Sequence, residues 1–153
     1  MTEHDPLAEL AEEDWSALRS LADRLDANPD AIGSWVLPEP LADGSTHVGY
    51  VDYGSLVQEF LEFMYAKNLV IQFDWPGWRG KEAVQEGNVR EIHSATPDDA
   101  LKYLTVMIRA DRFSEGALLD AFENGLVSSA LHRVLTHPST VHTQYHNESP
   151  PIQ

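Results

Sequence analysis

Apolar residues recur every three or four positions in five separate stretches of this chain. The first stretch runs from about Pro6 to Leu25 and carries leucines, alanines and Trp15 on one face. This period matches the turn of an α-helix, and a helix with one apolar face buries that face against its neighbours. Asp14 falls within the stripe, so we expect its carboxylate to be paired, hydrogen-bonded or at the edge of the buried surface.

Capping residues mark where the second and third helices begin. Ser55 and Gln58 form a capping-box pattern, and the apolar face that follows ends near Lys67. Thr96 and Pro97 suit the cap and the first position of the third helix, which has apolar residues around most of its circumference. Such a helix is surrounded by others, so we expect the third helix to lie at the centre of the fold.

Two shorter helices are predicted towards the end of the chain. Ser114 caps a fourth helix that ends before Gly125, and a fifth begins near Leu126 and stops before Pro138. Residues 79–95 have weaker periodicity and form either a frayed helix or a loop. The tail at 138–153 is polar and contains prolines, so we expect it to be mobile.

Strand signals are few and short. Residues 35–37 and 47–51 can pair as a ragged hairpin around the Asp43-Gly44 turn, and residues 69–73 can form a short strand. The sequence therefore predicts a mainly α-helical fold, a compact bundle of about five helices with at most one short strand pair. A chain of 153 residues suits a single domain, which we place at residues 1–137.

The chain is strongly acidic, and its charge is unevenly distributed. It has 25 acidic and 10 basic residues, a net charge of −15, and residues 1–32 hold nine acidic residues against two arginines. Such a surface repels phosphates, so we expect no direct contact with nucleic acid and no binding to a membrane. Only three of the bases are lysines, which fits a salt-adapted (halophilic) protein and an ordinary acidic cytosolic protein equally well.

What the sequence lacks narrows the range of functions. The chain has no cysteine, which excludes disulfides, thiolate nucleophiles and thiolate metal sites. No apolar run approaches the roughly 18 residues needed to span a membrane, and the N-terminus has no signal core, so we expect a cytoplasmic protein. The sequence contains no phosphate-binding loop, nucleophile elbow or dinucleotide fingerprint.

The most unusual segment is the charged run at residues 109–116, which we call the corner. If the third helix continued, Arg112 would project within about 20° of Leu101 on its apolar face. A guanidinium in a core needs carboxylate partners, so the cluster is either a structural staple or an anion-binding or catalytic site. The arginines concerned are Arg109 and Arg112, and their candidate partners are Asp14, Asp74, Asp111 and Glu115.

Two tryptophans flank a Pro-Gly turn at residues 73–78. Trp75 and Trp78 either clamp a ligand between them or plug the end of a helical core, burying about 200 Å² each. Asp74, which precedes the pair, either caps the following turn or pairs with Arg112 of the corner. The sequence leaves both choices open.

Four histidines near the C-terminus are spaced five, five and four residues apart. Only the last two have the spacing that places two imidazoles on one helical face, and the surrounding prolines argue against a helix there. Neither an HExxH pattern nor a familiar spacing of two histidines and one carboxylate occurs. We therefore expect a solvated tail, no metal site and no cofactor for the histidines His132, His137, His142 and His146.

Two elements of this chain resemble those of an uncharacterised family of small proteins from bacteria and archaea. They are Phe-Asp-Trp-x-x-Trp at 73–78 and Arg-x-Asp-Arg-Phe-x-Glu-Gly at 109–116, followed by Gly125 before a final helix. The resemblance covers about residues 48–135 and leaves the acidic first helix outside it. The family is a domain of unknown function, so the resemblance implies only that the two elements belong to one domain.

The first function hypothesis is a non-enzymatic interaction module. Its site is the groove beside Trp75, Trp78 and the corner, and its partner is a protein or a small anionic ligand. A homodimer is also open, since the first helix with Trp15 can pack on its own domain or on a second copy of the chain.

The alternative hypothesis is a hydrolase or transferase. Asp74, Asp111 or Glu115 would act as the base, while Arg109 or Arg112 would stabilise developing negative charge. A fully packed corner without a cavity would count against this hypothesis. A DNA-associated regulator is a third possibility, against which the net charge argues.

Overall fold

The computed structural model describes residues 5–45, 48–74, 77–78 and 80–138. Within these ranges the chain forms seven α-helices, five of them seven or more residues long, and one two-stranded antiparallel sheet. The predicted mainly α-helical fold with one short strand pair is confirmed. Trp75 and the tail from residue 139 onwards, with His142 and His146, lie outside the described residues, as do the predictions made for them.

The predicted first helix is divided into two parts. Asp5 caps a 3-10 turn at Pro6–Glu9 by accepting the backbone N–H of Leu7 at 3.1 Å. The backbone is then extended at residues 10–11 before α1 begins, and α1 spans Glu12–Ala27. Its apolar face is buried in the chain's own core, where Trp15 is only 3% exposed.

A small sheet follows α1. Strand β1 (Gly33–Val36) pairs antiparallel with β2 (Tyr50–Tyr53), and Trp35 lies opposite Val51. Residues 69–73 form no strand, which corrects the prediction made for them. The N–H of Ile71 in this segment bonds to the side chain of Thr105 at 3.2 Å, instead of to a neighbouring strand.

The helix α2 follows the sheet directly. It spans Ser55–Ala66, with Gly54 as its N-cap. Ser55 is therefore the first helical residue and not the cap that its capping-box pattern predicts. The Gln58 side chain donates a hydrogen bond to the Tyr53 carbonyl at 2.9 Å and so contributes to the start of the helix in a different way.

Asp14 links the start of α1 to the end of α2. Its carboxylate accepts a hydrogen bond from the Lys67 ammonium at 2.9 Å and another from the backbone N–H of Ala11 at 3.0 Å. The bond from Lys67, followed by the bond from Ala11, holds the pKa of Asp14 below its usual value. The expectation that this carboxylate is paired is confirmed.

Five further helices complete the fold. The segment predicted as a frayed helix or a loop contains two short ones. The third predicted helix begins where expected, because the Thr96 hydroxyl accepts the N–H of Asp99 at 3.1 Å. The fourth begins after Gly116, two residues beyond the predicted cap at Ser114. These helices are α3 (Lys81–Glu86), α4 (Val89–His93), α5 (Pro97–Ala110), α6 (Ala117–Glu123) and α7 (Leu126–Val134).

The helix α5 is the central element of the core, as its apolar circumference predicts. It packs against α3, α6 and α7, and half of its residues are buried. The helices α1 and α2 contact each other, and α1 also contacts α7. Within the described ranges, none of the helices is both long enough and apolar enough to cross a lipid bilayer.

We expect Leu104→Ala in the middle of α5 to lower the free energy of unfolding by roughly 2–5 kcal/mol. Leu104 is fully buried, so its truncation leaves a cavity in the core. The matched control is Leu37→Ala, because Leu37 is 70% exposed and the same change should cost less than about 0.5 kcal/mol. Urea unfolding followed by circular dichroism measures both, and equal losses would contradict a central α5.

Candidate functional site

The corner forms the turn between α5 and α6. The helix α5 ends at Ala110, and the N–H of Arg112 bonds back to the carbonyl of Arg109 at 3.1 Å. The chain then enters α6 through Gly116, whose φ of 89° is left-handed. The left-handed φ favours glycine, and a Cβ at Gly116 would in addition displace the half-exposed ring of Trp35.

Asp111 supplies the acceptor that the first turn of α6 lacks. The N-cap Gly116 has no side chain, and Asp111 Oδ1 accepts the N–H groups of Gly116 at 3.1 Å and Leu118 at 3.2 Å. The same oxygen accepts the Tyr53 hydroxyl at 2.9 Å, and that hydroxyl oxygen accepts the N–H of Leu119 at 3.0 Å. One carboxylate and one phenol therefore satisfy three N–H groups at the start of a helix.

Two features tie the corner to the sheet. Glu115 Oε2 accepts the backbone N–H of Val51 in β2 at 2.9 Å. Burial of Tyr53, together with its bond to Asp111, raises the pKa of the phenol well above its usual value, so the hydroxyl keeps its proton and continues to donate. Both carboxylates of the corner thus serve as structural acceptors.

The arginines of the corner do not enter the core as predicted. Arg112 is exposed, and no ion pair between described residues includes Arg112 or Arg109. The helical step that would bring Arg112 beside Leu101 stops at Ala110, two residues too early. Arg109 is half-buried, and its Nε has no hydrogen-bond partner within the described part of the chain. The predicted pairing of an arginine with a carboxylate is therefore wrong here.

The described part of the second sequence element, at residues 73–78, packs against the middle of α5 and not against the corner. Trp78 is half-buried against the core, with its ring centroid 5.4 Å from that of Phe73 and 4.8 Å from that of Tyr103. These contacts support the plug interpretation for Trp78, while its partner Trp75 lies outside the described residues. Asp74 is exposed and forms no ion pair with another described residue, so the predicted pairing with Arg112 does not occur.

Trp78 also borders a polar cavity, which we call the Trp78 cavity. Its volume is about 270 Å³, and the Tyr103 hydroxyl beside it donates to Glu91 at 2.9 Å. Neither this cavity nor the larger one described next is lined by a residue of the corner. The Trp78 cavity is lined by Trp78, Gly80, Glu82, Ala83, Glu86, Glu91, Asp99 and Tyr103.

A larger cavity lies between the end of α1 and the start of α7, and we call it the α1–α7 cavity. Its volume is about 400 Å³. Buried aliphatic side chains form its floor, and aspartate and glutamate side chains stand at its rim. It is lined by Leu25, Asp26, Pro29, Asp30, Ile32, Phe122, Glu123, Val127, Ser128 and Leu131.

One rim carboxylate of the α1–α7 cavity is held in place by α7. Asp26 accepts the Ser128 hydroxyl at 2.8 Å and lies 2.6 Å from His132 Nε2. This is not a catalytic triad, because in a triad the histidine lies between the serine and the carboxylate and here the carboxylate lies between the other two. The arrangement orients Asp26 and does not activate Ser128.

One group of described residues could hold a metal ion. Ligand atoms of Asp5, Asp98 and His137 all lie within 4.8 Å of one another. His137 is buried and stacks on Trp15. The spacing of histidines along the sequence gives no sign of this cluster, because its carboxylates come from distant segments.

A family model described as a family of unknown function (DUF6508) matches residues 10–138 of this chain. The match is longer than the resemblance at residues 48–135 suggests, because it includes α1. None of the curated proteins and none of the solved structures compared with the chain matches it.

We expect Tyr53→Phe to lower the free energy of unfolding by about 1–3 kcal/mol. The variant removes the acceptor of the Leu119 N–H, which belongs to a residue only 3% exposed, and the donor to Asp111. Tyr65→Phe is the matched control, since Tyr65 is 45% exposed and should tolerate the change within about 0.5 kcal/mol. If the two variants unfold at the same urea concentration, the bonds at the start of α6 do not matter to stability.

Proposed function

The chain belongs to this family of unknown function, and we propose that it is a small non-enzymatic binding module. Its site is the α1–α7 cavity. Its ligand is a small organic cation with an apolar body and one positively charged nitrogen. The observation that carries this proposal is the combination of an apolar floor with an acidic rim in one cavity.

The size and walls of the α1–α7 cavity suit a small molecule. A volume of about 400 Å³ falls in the range of roughly 300–1,000 Å³ that is typical of ligand sites. Burying the apolar part of a ligand on this floor provides affinity, while the polar groups at the rim fix its orientation. The aliphatic floor consists of Leu25, Ile32, Val127 and Leu131.

The charge at the rim selects a cation. Asp26, Asp30 and Glu123 line the cavity, and no lysine or arginine is among its described lining residues. A cleft lined by one sign of charge concentrates ligands of the opposite sign, and the net charge of −15 acts in the same direction. The small anionic ligand expected from the arginines of the corner is therefore not the ligand we propose for this cavity.

The hydrolase or transferase hypothesis has less support than the binding module. Asp111 and Glu115 already accept hydrogen bonds from the backbone, and Asp111 accepts three in all. A catalytic base has to reach a substrate proton, and neither cavity described above extends to these carboxylates.

Probes that share one apolar body and differ in charge test the proposed ligand class. We expect 1-naphthylmethylammonium to bind the full chain about tenfold more tightly than neutral 1-naphthalenemethanol, and 1-naphthylacetate to bind more weakly than both. Isothermal titration calorimetry measures the three affinities. Equal affinities for the cationic and the anionic probe would contradict the proposal that the cavity selects cations.

Variants of the lining residues test whether the probe binds in the α1–α7 cavity. Ser128→Phe fills the α1–α7 cavity and should abolish binding, while Ser129→Phe, one position along α7 and outside the lining, should not. Replacing exposed Glu123 with Gln should lower the affinity for the cation alone. Glu86→Gln, in the Trp78 cavity, is its matched control. A loss caused by Glu86→Gln and not by Glu123→Gln would place the cation in the wrong cavity and contradict the proposal.

We further propose a cytoplasmic, salt-adapted protein. If the repulsion within a chain of net charge −15 is relieved only by simple screening, the melting temperature should level off near 1 M KCl, where the Debye length is about 3 Å. Salt adaptation predicts a further rise between 1 and 3 M KCl. Differential scanning calorimetry from low to multimolar KCl distinguishes the two curves, and a plateau would identify an ordinary acidic protein.

A further inference from the structure

We propose that Asp5, Asp98 and His137 form a binding site for a divalent transition metal, with Zn²⁺ as the best-suited ion. The site is separate from the α1–α7 cavity and shares no residue with it. The fold brings the three residues together from segments that are far apart in the sequence: the N-terminal 3-10 turn, the first turn of α5 and the turn after α7.

His137 provides the nitrogen ligand and is held in place. Its side chain is 9% exposed, its ring stacks on Trp15 with the centroids 5.8 Å apart, and its Nε2 lies 3.2 Å from Asp5 Oδ2. A buried imidazole held by a stacked ring and a carboxylate has little freedom left to lose when it binds a metal.

Asp5 and Asp98 differ in how freely their side chains can move. Asp5 uses Oδ1 to cap the 3-10 turn, which leaves Oδ2 directed to His137. Asp98 is exposed and lies in the first turn of α5, and its ligand atom is within 4.8 Å of the other two. Two atoms bound to one ion at about 2.0–2.2 Å lie at most about 4.4 Å apart, and the exposed Asp98 side chain can move to bring its carboxylate that close.

The donor set determines the class of metal. One imidazole and two carboxylates suit Zn²⁺ and related transition ions, whereas Mg²⁺ and Ca²⁺ prefer sites made of oxygen alone. Three protein ligands leave a coordination position for water, as in open zinc sites. The Trp15 ring that stacks on His137 has a buried indole Nε1 without a hydrogen-bond partner among the described residues, which is uncommon for a buried donor.

The competing explanation is a protonated imidazole held between two carboxylates. That arrangement needs no metal, and the site would then have no affinity for Zn²⁺. The two explanations therefore differ in a directly measurable quantity, the affinity of the site for the ion.

The experiment uses the full chain with His4, His142 and His146 replaced by Gln, so that these histidines do not bind the ion. We expect Zn²⁺ to bind in a 1:1 ratio and to raise the melting temperature, and Mg²⁺ at the same concentration to do neither. In the NMR spectrum, the imidazole signals of His137 should shift on adding Zn²⁺, and those of His132, which pairs with Asp26 alone among the described carboxylates, should not. Shifts at His132 alone would place the ion elsewhere and overturn the proposal.

Two neighbouring aspartates provide matched variants. Asp98→Asn should weaken Zn²⁺ binding by about tenfold or more, because removing a direct ligand costs at least as much as disturbing an outer contact. Asp99→Asn, next along the same turn, should leave the affinity within about twofold, since Asp99 lies outside the cluster. His137→Gln tests the nitrogen ligand and should abolish the 1:1 binding. Equal affinity in the parent chain, Asp98→Asn and His137→Gln would show that Zn²⁺ binds elsewhere and would overturn the proposal.

Discussion

The first turn of α6 depends on acceptors that come from outside the helix. The left-handed backbone at residue 116 favours glycine, and a glycine cannot cap a helix with its side chain. Asp111 and Tyr53 take over that role and at the same time join α5, α6 and the sheet. Only Asn124 and Gly125 separate α6 from α7, so the bonds that hold the start of α6 also limit where α7 can lie against α1.

The fold was largely predictable because apolar spacing and capping are local properties. The start of α5 at Thr96 and the pairing of Asp14 follow from a few neighbouring residues. The corner was not predictable in the same way. The assumption of a continuing helix directed Arg112 into the core, whereas α5 ends at Ala110, Asp111 caps the next helix and Glu115 bonds to β2. The sequence signal for this cap was an aspartate five residues before Gly116, a glycine that has no side chain with which to cap the helix.

The two proposed sites could not be read from the sequence, because each joins residues that are distant along the chain. Asp26 meets Ser128 across 102 positions, and Asp5 meets His137 across 132. No spacing rule covers such separations. The sequence did supply the excess of acidic residues, and in both places the fold gathers some of them around an apolar or aromatic surface.

The two sites lie at opposite ends of the same pair of helices. The cavity is lined by the end of α1 and the start of α7, while His137 follows α7 and stacks on Trp15 near the start of α1. Trp15 and Asp26 are eleven residues apart on α1, or about 16 Å at 1.5 Å per residue. This is about twice the Debye length of about 8 Å at physiological ionic strength, so exposed charges at the two ends are largely screened from each other. The organic cation and the metal are therefore independent proposals, and either can fail while the other holds.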